Sequence, residues 1–421
     1  MGETTKPATG TVSESDAAYL RDLARKVAEI GNDPVQERKA EMWTRHNDLE
    51  RVRPMVLAFP EGSWRELLPG DRFRIGDRFL RRIEGDFLRR IYYWEHMQDD
   101  NVTEPAVYAP VVTHTTGWGL RTQNTRPEEA TGAYHIDPVI HDESDIDKLE
   151  IPRLTVDWDE TERLHGILQD LFADILTVEK RGVQRGGAEP LDFYSQLRGI
   201  DNMYMDLIDK PEMVHKAIGR IIDGRIQMIR DAEEQGAMTL GNRNNYAGSG
   251  GTSYTKQLPQ PDFDGTHVRA RDLWGFATAQ IFSEVSPAMH EEFALTHEAR
   301  YCDLFGLNCY GCCEPLHHKL DALFRTIPRL RRISISPWAD VDISAEKLAD
   351  RYIYSWKPNP SMLAGERWQP DVVRREMREF CERTRGNVVE IIMKDTHTVR
   401  HEPRRMWEWV RITREVAEEF A

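Results

Sequence analysis

Leu307-Asn308-Cys309-Tyr310-Gly311-Cys312-Cys313-Glu314-Pro315 decides the reading of this chain. A short buried strand fits Leu307 to Tyr310, a glycine follows, and a cluster of thiols and a carboxylate closes the run. Leu316, Leu320, Leu323 and Ile327 then recur at helical spacing. The same order repeats elsewhere. Met238-Thr239-Leu240 runs into residues 242–245, Ile333-Ser334-Ile335 into 336–340, and Tyr352-Ile353-Tyr354 into 355–359. Val388–Met393 likewise runs into 394–398. Further stripes are Val373, Met377 and Phe380, then Trp409, Ile412, Val416 and Phe420. Strands alternating with amphipathic helices predict an α/β fold with a parallel sheet. Polar clusters at each C-terminal strand end favour a (β/α)8 TIM barrel over a doubly wound sheet, because barrels assemble sites from several such ends. No glycine-rich dinucleotide or phosphate fingerprint speaks for the alternative.

Upstream, the pattern is weaker. Residues 1–14 read as disordered, Leu20, Leu23, Val27 and Ile30 share a helix face, and a charged helix covers about 34–50. Neither helix belongs to a βα unit. Residues 1–50 are therefore expected to form an N-terminal helical extension, and 51–421 the barrel. Strands are expected at 55–59 and 107–114, with an irregular stretch over 115–147. Residues 272–280 read as a helix, with Gln280 facing the cavity. No internal repeat stands out.

The 421 residues carry a formal charge of −15, with 40% apolar and 30% charged side chains. A large core is affordable in one domain. The acidic balance argues against nucleic acid, which needs concentrated Lys and Arg. Arg81-Arg82 and Arg89-Arg90 alternate with acids and apolar residues, as on solvated helix faces. No apolar run reaches the roughly 20 residues that span a bilayer, and the first residues lack a signal-peptide core. A cytoplasmic location is the expectation. Five cysteines form no disulfide framework, and four of them fall between Cys302 and Cys313. Such crowding points to thiolate or metal chemistry.

Cys312, Cys313 and Glu314 offer zinc ligands, and a catalytic zinc keeps one position open. Adjacent side chains diverge on an extended strand, so one thiol serves as ligand or thiolate while the other packs. The plain alternative is that all are small buried hydrophobes. His317 and His318 begin a helix and read as surface. Lys394, Asp395 and His397 can act as acid, base and charge stabiliser. His397 and Asp395 can instead complete a metal site with Cys312, or Asp395 and Thr396 merely cap a helix. Lys357, ahead of Pro358 and Pro360, suits an anionic substrate or cofactor, or is a surface lysine on a rigid loop. Catalytic candidates are thus Lys394, Asp395, His397, Glu314 and Lys357. Substrate-binding candidates are Tyr310, Trp338, Trp356, Asn245 and Gln280, and metal candidates are Cys312, Cys313 and His397. The glycine-rich stretch 244–251 suits either a mobile lid or close backbone approach. It lacks the ending of a nucleotide-binding loop.

Residues from about 262 to 408 resemble the uroporphyrinogen-decarboxylase-like superfamily, in the branch related to corrinoid-dependent methyltransferases. The resemblance rests on Arg271-Asp272-Leu273-Trp274-Gly275, Ser286-Pro287, Tyr310-Gly311-Cys312-Cys313-Glu314 and the segments 333–340, 355–360 and 394–398. It implies a barrel, often dimeric. The arginine-rich signature of the porphyrin decarboxylase has no counterpart here. The methylcobamide branch holds zinc with a His-x-Cys pair and a later cysteine. Here Cys312 is kept, Tyr310 stands for the histidine, and Asp395 and His397 fall where the later cysteine would be. The resemblance implies methyl transfer between a small methylated ether, amine or thiol and a corrinoid on a partner protein, with zinc as the candidate metal. The rival readings are a metal-independent lyase or decarboxylase on an anionic substrate, and a non-catalytic barrel that binds a tetrapyrrole or corrinoid.

Overall fold

The computed structural model describes residues 12–125 and 135–421. The expected disorder of the N-terminus therefore falls largely outside the described residues. The centre is a six-stranded parallel sheet. Its order is Met55–Ala58, Val388–Met393, Ile353–Trp356, Leu330–Ile335, Leu307–Tyr310 and Trp274–Ala277. A second parallel pair joins Ala106–Pro110 to Thr177–Arg181. That pair reaches the main sheet through the next residues, because Arg185 bridges Trp274 and Ala188 bridges Ala277, both in parallel sense. Val183 also bridges Met238. All these strands point their C-terminal ends to one rim.

Period-two alternation gives the sheet two faces. On the helix side, Val56, Ala58, Ile333, Ile335, Tyr354, Val389, Ile391 and Met393 join one core cluster with residues of the flanking helices. Phe380, from the helix Pro370–Arg383, stacks on Trp356 with centroids 3.8 Å apart. The opposite, concave side holds Met55, Leu57 and Ile392 in one cluster and Trp274, Phe276, Leu307 and Cys309 in another. Between them the concave side turns polar. Ser334 pairs with Ser355, which pairs with Glu390, and all three are buried.

Strand Met55–Ala58 ends the sheet, and its outward N–H groups need partners. Asp100 Oδ2 accepts from Val56 N at 2.7 Å, and Asp99 Oδ2 accepts from Ala58 N at 3.0 Å. Carboxylates thus cap this edge where a further strand would pair. Burial would raise the Asp100 pKa, but Arg53, bidentate at 2.6 and 2.8 Å, holds it below the usual range. Asp99 has no arginine partner among the described residues, and burial pushes it up to about 6 against the Lys39 charge.

The N-terminal helices Glu14–Gly31 and Pro34–Asn47 form as the apolar and charged patterns predict. The first packs through Leu20, Leu23, Val27 and Ile30 into a cluster with Phe87 and Phe172. The second ends in His46 and Asn47, both 0% exposed beneath the sheet's concave face. Residues 272–280 are not a helix. They are the strand Trp274–Ala277 between two 3-10 turns, Ala270–Asp272 and Gln280–Phe282. Both faces of that strand are buried, so it carries no alternation to separate it from a buried helix. The expected strand at 107–114 divides into Ala106–Pro110 and an antiparallel strand, Val112–Thr115. Among the described residues no helix is long and apolar enough to cross a membrane.

Candidate active site

A charged floor lies under the concave side. Arg332 is 1% exposed and Glu390 0%. Arg332 Nε lies 3.0 Å from Glu390 Oε1, and His46 Nε2 lies 3.3 Å from Oε2. These are pairing distances, though the groups are angled away from good hydrogen bonds. Arg332 also donates to Asn47 Oδ1 at 2.6 Å and to Thr252 O at 3.1 Å. Despite burial, the Arg332 charge draws Glu390 down to about 2, while burial keeps His46 below its ordinary value.

Chain segment 246–254 threads over this floor. Asn47 Nδ2 donates to Thr252 O and Tyr254 O at 2.9 and 2.7 Å, and Trp274 Nε1 donates to Ser253 O at 3.1 Å. Gly251 has φ +61°, and a Cβ there would stand 2.6 Å from Arg332 Cζ. At Gly248, φ +67°, a Cβ would stand 2.5 Å from Cys309 Cβ. Of the two uses foreseen for these glycines, the structure employs close backbone approach.

Pinning this segment delivers Ser249 to the strand ends. Ser249 Oγ lies 3.3 Å from Cys312 Sγ, and Lys394 Nζ lies 3.2 Å from Ser249 Oγ and 3.9 Å from Cys312 Sγ. Cys312 is half-buried, and its sulfur is 3.6 Å from that of exposed Cys313. The Cys313 hydrogen bond, the Lys394 charge and Ser249 together outweigh burial and bring Cys312 down to about 7. The same sharing pushes the Cys313 thiol up. Burial would lower Lys394, but Cys312, Asp395 and Glu61 hold its pKa above the ordinary value. A thiolate held this way is a nucleophile near neutral pH.

Glu314 fixes the loop that carries the thiols. Fully buried, it accepts from Cys312 N at 2.9 Å and from Thr278 Oγ1 at 2.7 Å, tying the ends of two strands together. Asp395 lies 3.6 Å from Cys313 Sγ, and its N–H donates to Glu61 Oε2 at 2.8 Å. Both partners hold left-handed backbone, Asp395 at φ +56° and Glu61 at +45°. Such strain in residues with a Cβ costs on the order of 1–3 kcal/mol each and gathers at functional sites. Lys357 is 4% exposed and donates to Ser355 Oγ at 2.5 Å. Burial brings its pKa down to about 8, with Lys394 and Arg332 adding repulsion.

The remaining candidates lie elsewhere. Tyr310 faces the helices, where its hydroxyl donates to Glu298 Oε2 at 2.7 Å and meets His290 Nε2 at 2.8 Å. Trp356 also faces the helices, stacked on Phe380. Trp338 is 70% exposed on the rim after its strand. Asn245 is half-buried, with an amide nitrogen that finds no partner among the described residues. Gln280 is half-buried, with its N–H on Asp192 Oδ2 at 3.1 Å. His397 is exposed, its ring against Gly62 and its carbonyl accepting from Arg65 at 3.2 Å. His317 and His318 precede the helix Leu320–Thr326 in a turn.

This donor set does not fit zinc. Among the described residues, no three His, Cys, Asp or Glu side chains converge as metal ligands. Among the described residues no imidazole bonds to Cys312 or Cys313, and the Lys394 ammonium lies 3.9 Å from the Cys312 sulfur. Sequence reasoning misses Ser249, Glu61, Arg332, Glu390 and His46. Charged Glu390 inside the otherwise apolar strand Val388–Met393 is a readable signal, whereas Arg332 is masked by its neighbours Arg331 and Ser334. Glu61 arrives from a distant segment and leaves none, and Ser249 is marked only by the glycines of 244–251 around it.

No protein-family model matches the chain, and no curated protein matches it. Among solved structures, it is similar to a methyltransferase from Methanosarcina mazei, at TM-score 0.39 and 13% identity. The match covers 61% of this chain and spans 63% of that one. An overlap so partial carries no argument about activity.

Proposed function

We propose that the eight strands form a distorted (β/α)8 barrel and that its rim is the active site of a methyl-transfer enzyme centred on Cys312. The observation behind this reading is the Cys312 sulfur at a strand end, brought down to about 7 by the Cys313 thiol first and then by the Lys394 ammonium. Soft thiolate sulfur attacks a methyl carbon once the heteroatom that carries it is protonated and can leave neutral. The S–C bond forms as the bond from carbon to the donor's heteroatom breaks, and that heteroatom leaves with the electron pair. Glu61, which accepts from Asp395 N at 2.8 Å on the same rim, is the group we assign to pass a proton to the leaving heteroatom. Lys394 stabilises the thiolate, and Glu314 positions its loop. The sequence resemblance supplies the substrate class, a small methylated ether, amine or thiol, and a partner-borne corrinoid as methyl acceptor. Exposed Trp338 offers that macrocycle a flat surface on the rim. The resemblance also supplies a homodimer. Ile200, Met205 and Ile208, exposed on one helix, are the apolar contact we assign to it.

The test is intact-mass analysis after incubation with a methylated donor and no acceptor. One methyl group is expected on Cys312, and none in Cys312→Ala. Wild-type turnover by Cys312→Ala overturns the reading. Lys394→Met is expected to lower kcat by about 10²-fold.

A second reading has its own support in the two ammonium groups, Lys357 and Lys394, which act on each other at the rim. Such a pair suits decarboxylation of an anionic substrate without any metal. Carbon dioxide release from candidate acids, with no corrinoid protein present, would favour it.

A further inference from the structure

The strands Ala106–Pro110 and Thr177–Arg181 end on the same rim, but on the arc away from Cys312. There, between these strands and the helix Arg78–Tyr92, lies a cleft of about 340 Å³. That size falls within the range of small-molecule sites. Three guanidinium groups line it, from Arg82, Arg90 and Arg181.

Their charges are not equally committed. Arg90 donates to Ala106 O at 2.7 Å and pairs with Asp86 at 2.6 Å, so its fork is filled. Arg181 lies over the Tyr108 ring with its guanidinium carbon 3.3 Å from the centroid. Its nearest acid, Glu104, is 3.8 Å away and is shared with Arg243 at 3.0 Å and with the hydroxyls of Tyr108 and Tyr254. Arg181 Nε is buried without a hydrogen-bond partner among the described residues. A buried donor left unpaired costs about 1–3 kcal/mol unless something binds it. Arg82, on the facing helix, is exposed and has no acidic partner among the described residues. Phe79 supplies an apolar wall. Asp86 is the one acid in the lining, and Arg90 neutralises it.

We propose that this cleft binds an oxyanion, the carboxylate or phosphate of a small ligand, between Arg82 and Arg181, with Phe79 and Tyr108 against the ligand's body. Guanidinium groups suit the task because their planar forks match two oxygens at once. The site does not depend on the thiolate reading, and its test measures binding rather than turnover.

Full-chain protein is titrated calorimetrically with inorganic phosphate and, separately, with succinate. At least one is expected to bind at one site per chain, which tells phosphate from carboxylate as the preferred group. Arg82→Gln and Arg181→Gln are each expected to weaken that binding about tenfold or more. Lys394→Gln is expected to leave it unchanged. Arg82 is exposed, so its variant keeps the fold, as an unchanged thermal midpoint would verify, even if Arg181→Gln disturbs Tyr108. The proposal is overturned if neither anion binds, if Arg82→Gln binds like wild type, or if Lys394→Gln abolishes binding.

Discussion

Glu298 lies fully buried behind the strand Leu307–Tyr310, and burial pushes its carboxyl up to about 8 even though Tyr310 donates to it. A folded pKa raised above the ordinary 4.5 means the folded chain holds a proton that the unfolded chain releases. Its stabilising contribution is full below about 4.5 and is lost as pH rises through about 8. Glu298→Gln, neutral throughout, is expected to flatten the fall in thermal midpoint across that window; an unaltered slope contradicts this. Glu390 has the opposite sign. Lowered to about 2, it contributes stability above about 4.5 that is lost as pH falls through about 2. Arg332→Met leaves that carboxylate buried with only His46 beside it at pairing distance among the described residues, which costs about 3–5 kcal/mol. Urea unfolding near neutral pH measures it, and a loss below about 1 kcal/mol would show that the floor charge is compensated elsewhere.

Segment 246–254 acts as an insert inside the sheet's concave face, and its glycines set the fit. Gly251→Ala must place a methyl group against Arg332 and hold a positive φ, so a loss of about 1–3 kcal/mol is expected in denaturant unfolding. A neutral result means the segment can withdraw. The elements differ in how plainly the sequence shows them. Val388–Met393 and Leu330–Ile335 are legible because their helix-facing residues are apolar and each ends in a polar cluster. Ala106–Pro110 is legible only as part of a longer expected strand, and Thr177–Arg181 not at all, since Glu179, Lys180 and Arg181 interrupt the apolar run. Cys312 and Lys394 are legible as polar residues after strands. Their environment is not, because Ser249 and Glu61 reach them only through the fold. Tyr310 and Trp356 sit close to those clusters in sequence, yet strand alternation turns both toward the helices.

Across the whole molecule, the proposed dimer and the rim chemistry can be tested separately. Ile208 is 71% exposed and Met205 61%, so Ile208→Asp alters surface without touching the core. Sedimentation is expected to find a dimer for the native chain and a monomer for this variant; a monomeric native chain removes the dimer. The rim is the claim on which the functional reading stands, because it needs segments near residues 61, 249, 312 and 394 to meet at one point. Its most direct measurement is the pH dependence of Cys312 alkylation by iodoacetamide, read by peptide mass. The native chain is expected to reach half its maximal rate near pH 7, and Lys394→Met to shift that midpoint upward. A midpoint near the ordinary thiol value of 9.0 in both proteins would contradict the assembly of Cys312, Ser249 and Lys394 described above.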